Sequence, residues 1–207
     1  MDTVTHMNAT HYPVLTLIPA PQHIKRLATL LQRGFLIPCT DPIPLETLLL
    51  DLPGFNREYI HNRIETIFIN GSAADSPAHS LMPGSTVALS AAMPGLAGAI
   101  FRKGGPHAGL RTLPPPPKPE DHSRYEFVTL KLFNRVADDT VEPFLRQGIL
   151  MRHATLTRFF RNRTEQLQHI LSSISIDTAM IPLDKIVQLP DNQDIFLVRA
   201  ETDTANG

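Results

Sequence analysis

The sequence predicts an α+β protein, because strand-like and helix-like segments are interspersed along the 207 residues without a regular alternation. The strand-like segments are rich in β-branched and aromatic residues, as at residues 67–69 and 127–133. The helix-like segments repeat apolar residues at intervals of three and four, as at residues 24–31. Together these patterns favour a mixed fold over a purely helical or purely β fold.

Two amphipathic helices are predicted in the first half of the chain. Each carries four apolar residues at helical spacing, which is typical of a face that packs on a core. The first set is Ile24, Leu27, Ala28 and Leu31, and the second is Leu45, Leu48, Leu49 and Leu52. We expect the first helix to end at Gly34, and the second to begin at Pro44 and stop before Pro53-Gly54.

Two strands are predicted after these helices. Ile67, Phe68 and Ile69 are consecutive bulky residues, which suggests burial on both faces of a sheet. Asn70-Gly71 accepts positive φ angles, so we expect the chain to reverse there. Pro83-Gly84 indicates a second turn, and residues 85–89 then predict another short strand.

Several of these segments occur in an order that resembles a known family. They are Gly34-Phe35-Leu36-Ile37, the leucine-rich helix, Ile67-Phe68-Ile69-Asn70-Gly71, Leu81-Met82-Pro83-Gly84-Ser85 and Val87-Ala88-Leu89. This order is similar to that of the ubiquitin-like β-grasp sulfur carriers related to the molybdopterin and thiamine sulfur-carrier proteins. The resemblance covers residues 34–90 and implies a β-grasp-like N-terminal part.

The same resemblance implies carrier chemistry at a Gly-Gly pair, but the chain departs from the family there. Those carriers act through the free carboxylate of a C-terminal Gly-Gly. Here Gly104-Gly105 is internal, and about a hundred residues follow it. Ser85 also stands where the family usually has Asp. The sequence therefore disfavours a sulfur-carrier function.

A proline-rich stretch divides the chain. Four consecutive prolines lie within residues 106–124 and favour an extended polyproline II segment. We expect a stiff linker there, and a docking peptide for a proline-binding domain is the alternative. The linker would join a domain over 13–105 to a smaller α+β unit over 125–200.

The second unit is expected to contain three strands and two helices. Asp139-Thr140 is a candidate helix cap, and Gly148 a candidate stop. A long apolar stripe over residues 156–174 predicts the longest helix. The expected strands are residues 127–133, 186–189 and 195–198.

Composition excludes several classes of function. The formal net charge of −1 gives no global attraction for nucleic acid or an acidic membrane, and neither is expected as a partner. No apolar run approaches the ~20 residues of a membrane span, and residues 1–6 lack the pattern of a signal peptide. Cys39 is the only cysteine, so no disulfide can form within the chain. We expect a cytoplasmic protein.

The segment 93–105 is the strongest candidate for a binding function. Residues 93–101 carry no charge, and Pro94-Gly95 favours a loop that contacts the core, a second subunit or a ligand. Arg102, Lys103, Gly104, Gly105 and His107 then place positive charge and N–H donors beside it, which predicts an anion-binding site. The basic residue and helix of a phosphate loop do not follow the glycines at the required spacing.

Other chemistry is weakly indicated. Arg152, Arg158, Arg161 and Arg163, with Arg146 upstream, could bind an anion or form a solvated helix face. The nine histidines show no metal-ligand spacing, so no metal site and no cofactor are expected. No catalytic residue is identified.

The function expected from the sequence is a noncatalytic binding or scaffold module that forms homo-oligomers. Self-association follows from the uncharged segment 93–101, which is unfavourable to expose to water. The alternative is an enzyme or small-anion binder that uses Arg102–Gly105 and His107. A second protein is a further candidate partner.

Overall fold

The computed structural model describes residues 12–91, 95–105, 126–190 and 193–201. Contacts divide the chain into two compact units. Unit 1 combines Met1–Leu36 with Thr140–Gly207, and unit 2 is Ile37–Asp139. This division differs from the sequential domains expected over 13–105 and 125–200, because strands from both ends of the chain pair with each other. The expected linker at 106–124 lies outside the described residues.

Both helices and strands are present, which confirms the α+β class. The described strands are β1 (Val14–Pro19), β2 (Phe35–Pro38), β3 (Ile43–Pro44), β4 (Thr66–Ile69), β5 (Ser72–Ala74), β6 (Ser80–Leu81), β7 (Thr86–Ser90), β8 (Phe127–Phe133), β9 (Ile149–Arg152), β10 (Leu171–Ile176), β11 (Ala179–Ile181) and β12 (Ile195–Ala200). The described α-helices are α1 (Ala28–Arg33), α2 (Leu45–Leu50), α3 (Arg57–Asn62), α4 (Gly95–Phe101), α5 (Asn134–Gln147), α6 (His153–Arg161) and α7 (Thr164–Gln168). Two 3-10 helices span Pro21–Leu27 and Leu183–Lys185. No helix in the described ranges is long and apolar enough to cross a membrane.

The sheet of unit 1 has the strand order β11-β10-β1-β12-β9. β1 runs parallel to β12, whereas the other neighbouring strands in this order are antiparallel. β1 and β12 are therefore neighbours in the sheet although they lie more than 180 positions apart in the sequence. Phe159, Phe160 and Phe196 are fully buried and form much of its core. Truncating such a side chain to alanine typically costs about 3–5 kcal/mol.

Two predicted helix ends of unit 1 are confirmed. The first apolar stripe forms a 3-10 turn followed by α1, and Gly34 ends it with φ +101°. Gly148 ends α5 with φ +98°. Both glycines adopt backbone angles that other residues avoid.

Two other predictions for unit 1 are wrong. The expected helix over 156–174 is divided into α6, α7 and the start of β10, because Arg163 has a nonhelical φ of −139° and residues 171–176 pair with β1. No strand forms over 186–189. Residues 186–187 form a turn after the second 3-10 helix, and residues 188–189 have no regular secondary structure. Ile186 and Leu189 are buried there, so apolar content alone did not identify the backbone conformation.

The sheet of unit 2 has the strand order β8-β7-β4-β5. β7 and β8 are parallel, and the other two pairs are antiparallel. Asn70 and Gly71 have φ of +51° and +81° and connect β4 to β5, which confirms the predicted reversal. α2 begins after Pro44, as expected. β3 and β6 form a separate two-stranded sheet.

Two further predictions are corrected in unit 2. Asp139 is not a helix cap, because α5 begins five residues earlier at Asn134. The segment expected to be a loop contains the helix α4, whose Gly98 is buried and whose Ala99, Ile100 and Phe101 are half-buried. Leucine and alanine favour helix strongly, and they compensate for the two glycines in this helix.

Candidate functional site

One face of the unit 2 sheet is partly exposed to solvent, whereas the opposite face is buried. The partly exposed face is called the half-open face below. Ile67 and Leu132 on the opposite face are inaccessible to solvent. Phe68, Ala88 and Lys131 are half-buried and occupy paired positions on β4, β7 and β8. Residues paired across neighbouring strands share a face of the sheet. The three side chains therefore form one row across the half-open face.

A second row lies two residues further along β7 and β8. It consists of Thr66, Ser90 and Phe133, which are again paired across the three strands. Thr66 is 1% exposed and Ser90 is 7% exposed. β7 and β8 are parallel and both end in this row, and the carboxyl ends of parallel strands are a common position for ligand sites in α/β sheets.

A cavity of about 230 Å³ opens over these two rows. Its lining is mainly apolar and consists of Thr66, Phe68, Ala88, Leu89, Ser90, Phe133 and Asn134. An apolar cavity of about 150 Å³ can hold benzene, so the volume here suits one ring with a substituent. The predominance of apolar side chains with a few polar groups is typical of small-molecule sites.

The polar end of the cavity is formed by Ser90 and Asn134. Asn134 Nδ2 donates a hydrogen bond to Ser90 Oγ at 3.0 Å. Asn134 is the first residue of α5 and has a φ of +51°. Asparagine tolerates this left-handed conformation better than most residues, and outliers of this kind occur often at binding sites.

Phe68 and Phe133 provide the aromatic walls of the cavity. Phe68 contacts Phe101 of α4, with 5.3 Å between ring centroids and an interplanar angle of 54°. This distance lies in the favourable range for aromatic pairs. α4 thus supports the Phe68 wall from outside the cavity.

The predicted anion-binding residues hold the end of α4 in place. Arg102 Nη2 lies 2.9 Å from Glu65 Oε2, and the Lys103 N–H donates to the Glu65 carbonyl at 2.6 Å. Gly104 has a φ of +61°, and the Gly105 N–H donates to the Arg102 carbonyl at 3.0 Å. The glycine pair therefore ends the helix, and the two basic residues connect it to the residue before β4.

The remaining donors of this segment are also engaged. Lys103 Nζ donates to the carbonyl oxygens of Ile60 and His61, each at 3.2 Å. The Gly104 N–H donates to Asp75 Oδ1 at 3.0 Å. Burial lowers the pKa of Lys103. These contacts use several of the donors from which an anion site was expected, His107 lies outside the described residues, and the anion site stays a prediction.

The arginines singled out in the sequence belong to unit 1. Arg146 pairs with Glu142 at 2.9 Å, and the Arg163 guanidinium lies 5.5 Å from the Phe159 ring centroid. Residues 161–166 line a polar depression of about 350 Å³ at the turn between α6 and α7. Because these six residues are consecutive, this depression is a turn surface with no elements converging on it.

The buried Cys39 is poorly suited to nucleophilic chemistry. Its Sγ donates to the Asp41 carbonyl at 3.2 Å, and burial raises the pKa of its thiol. A raised pKa keeps the thiol protonated and unreactive near neutral pH. Across the described ranges, no group of three or more His, Cys, Asp or Glu residues is placed to hold a metal ion.

The alternation of side chains along β8 is a sequence signal for the cavity. β8 alternates Phe127, Thr129, Lys131 and Phe133 with Val128, Leu130 and Leu132, and the second set is fully buried. Such alternation indicates one buried and one open face. Phe68 was expected to be buried, but it lies on the open face.

Comparison of the chain with protein-family models, with curated proteins and with solved structures found no match.

Proposed function

We propose that this protein is a noncatalytic small-ligand-binding protein whose site is the cavity over β4, β7 and β8. The observation that carries this proposal is the cavity itself, with apolar walls from Phe68, Ala88 and Phe133 and a polar end at Ser90 and Asn134. Apolar walls supply affinity, and a small number of polar groups set the orientation of the ligand.

The bond between Ser90 and Asn134 favours binding over covalent catalysis. A serine nucleophile needs a neighbouring base that accepts its proton. The Asn134 amide donates to Ser90 Oγ, and an amide is not a base near neutral pH. The Asn134 amide therefore does not supply the base that a Ser90 nucleophile would need.

Benzamide, a neutral single-ring compound, is a suitable first probe. A ligand with nine heavy atoms in a matching cavity should bind with a Kd on the order of 0.1–1 mM. We expect backbone amide NMR signals of Ala88 and Ser90 to shift on titration. Ala88→Leu adds three carbons in the cavity and should abolish the shifts, whereas Ala154→Leu at an exposed position of α6 should leave them unchanged.

The proposal is contradicted by two results. One is the absence of saturable shifts in the wild-type protein with either benzamide or its carboxylate analogue benzoate up to 10 mM, a concentration roughly ten times the weakest expected Kd. The other is equal binding by the wild-type protein and a folded Ala88→Leu variant, which would place the ligand elsewhere.

Self-association is a second proposal, and β11 favours it. β11 is the outermost strand in the order described for unit 1, and Met180 on it is 64% exposed. Edge strands offer unpaired N–H and C=O groups to another chain. Ala179, Met180 and Ile181 are uncharged, so two copies could pair across a two-fold axis without opposing like charges.

Sedimentation equilibrium at micromolar concentration tests this second proposal. We expect a mass above that of one 23.0 kDa chain for the wild-type protein and a return to one chain for Met180→Lys. Leu50→Lys, on an exposed position of α2, is the matched control. A single-chain mass for the wild-type protein at all concentrations would remove this proposal.

The β-grasp resemblance supports a third and weaker hypothesis, a sulfur-carrier-like protein. Such a carrier would react through a free carboxylate of Gly105. Here the carbonyl carbon of Gly105 forms a peptide bond to the next residue. We expect an adenylating enzyme to form no acyl-adenylate with this chain. Mass-spectrometric detection of an adenylate or thiocarboxylate at Gly105 would revive the hypothesis.

A further inference from the structure

We infer that the ligand of the unit 2 cavity is a single-ring aromatic carboxylate whose ring lies over Ala88 and whose carboxylate binds Lys131. This inference rests on the proposed small-ligand function and specifies the chemistry of the ligand. The observations that carry it are the register of three strands, the two aromatic walls and one half-buried lysine.

The register places Lys131 next to Ala88 of the cavity lining, and Lys131 itself lies outside that lining. Lys131 is paired with Ala88, and Ala88 is paired with Phe68 on the other side. Neighbouring strands lie about 4.8 Å apart, so Lys131 and Phe68 flank Ala88 at equal distances. Phe133, which lines the cavity, is two residues from Lys131 on the same strand and shares its face.

The aromatic walls are spaced for one ring between them. Phe68 and Phe133 are two strands and one row apart, which in an ideal sheet separates their Cα atoms by roughly 12 Å. Aromatic rings contact favourably at centroid distances of about 4.5–7 Å, so one ring fits between two others at this spacing. Ala88 lies between the walls and has the smallest side chain of its row, which leaves space above it.

Lys131 supplies the charge that selects a carboxylate. It is half-buried, and in the described part of the chain its ammonium group makes no ion pair or side-chain hydrogen bond. An ammonium group beside an apolar cavity favours an anionic partner, and charge-assisted hydrogen bonds are about twice as strong as neutral ones. Ser90 and Asn134 form the polar end of the cavity, against which a ring substituent can lie.

Benzoate and benzamide test this inference, because they have the same shape and differ in charge. We expect the wild-type protein to bind benzoate about fivefold more tightly than benzamide, which is the effect of a partly exposed ion pair. Lys131→Met should remove this preference by weakening benzoate binding while leaving benzamide binding unchanged. Lys185→Met, on an exposed position of unit 1, should retain the preference.

The outcomes separate the two levels of the proposal. Equal affinity of the wild-type protein for the two probes overturns the carboxylate inference and leaves the ligand-binding proposal intact. An unchanged preference in Lys131→Met also overturns the inference. Failure of both probes to bind overturns the proposed function and the inference with it. The wild-type comparison decides the question even if Lys131→Met does not fold.

Discussion

The ammonium group of Lys103 binds the carbonyl oxygen of Ile60 at 3.2 Å, in the last turn of α3. The last carbonyl groups of a helix lack partners within the helix and attract cations. Lys103 therefore connects the end of α4 to the end of α3. α4 also carries Phe101, which supports the Phe68 wall of the cavity.

Loss of the Lys103 ammonium group should destabilise unit 2. We expect Lys103→Met to lower the free energy of unfolding by about 1 kcal/mol at pH 7, because the two hydrogen bonds that are lost outweigh the cost of burying the ammonium group. Lys25→Met, at an exposed position in unit 1, is the control and should change it by less than about 0.5 kcal/mol. Urea unfolding measures both, and equal effects of the two variants would contradict the role of Lys103.

The pH dependence of the Lys103 effect has a definite sign. The pKa of Lys103 is lowered in the folded protein by burial, so the unfolded chain holds more protons between that pKa and the ordinary value near 10.4. Stability then rises with pH across this window. We expect the difference between the wild-type protein and Lys103→Met to widen from pH 8 to pH 10.5 in urea unfolding. A constant difference would show that the pKa is not lowered.

Two glycines with positive φ should respond differently to substitution by alanine. A side chain in the left-handed region costs about 1–2 kcal/mol at either position. A Cβ on Gly104 would meet no heavy atom within 4 Å, whereas one on Gly148 would lie 2.9 Å from Leu197 Cδ1. We therefore expect Gly148→Ala to destabilise by about 1 kcal/mol more than Gly104→Ala. Denaturant unfolding measures the loss of unfolding free energy in each variant. Equal losses would mean that Leu197 moves aside at no cost.

The hydrogen bond between Tyr59 and Asp139 should stabilise the folded protein at neutral pH, and this contribution should be lost at alkaline pH. The Tyr59 hydroxyl donates to Asp139 Oδ2 at 3.0 Å, and Arg135 holds the other oxygen of this carboxylate. Burial first, and then this bond, raise the pKa of Tyr59 in the folded protein. A raised folded pKa contributes stability below the ordinary value near 10 that is lost as the pH rises further.

Tyr59→Phe tests this relationship. We expect the variant to lose about 1 kcal/mol at pH 7, and the gap to the wild-type protein to narrow above pH 10. Tyr12→Phe is the control, because the hydroxyl of Tyr12 makes no hydrogen bond in the described part of the chain. Urea unfolding at pH 7 and pH 10.5 measures both variants. A gap that stays constant would contradict the raised pKa.

Local features of the sequence predicted local features of the structure. Gly34 and Gly148 end helices, and Asn70-Gly71 forms a hairpin, because only a few residue types adopt positive φ at low cost. The pairing of β1 with β12 could not be predicted in this way, because it joins residues more than 180 positions apart and no local signal specifies the partner.

The candidate site was missed for the same reason. The expected site rested on Arg102 and Lys103, which are adjacent in the sequence, and their donors turned out to bind Glu65 and the carbonyls of α3. The cavity combines residues from β4, β7, β8 and α5. Only the register of the strands brings Phe68, Ala88 and Phe133 together, and register depends on the whole sheet.

Two substitutions of Asn134 should separate its backbone role from its side-chain role. Its φ of +51° favours glycine, so Asn134→Gly should keep the local backbone, whereas Asn134→Ala should be about 1 kcal/mol less stable than the glycine variant. Both remove the amide that donates to Ser90, so both should weaken benzamide binding, by about threefold to tenfold. Thermal unfolding gives the stability order, and NMR titration gives the affinities. If only Asn134→Ala loses affinity, the backbone conformation and not the amide supports the ligand.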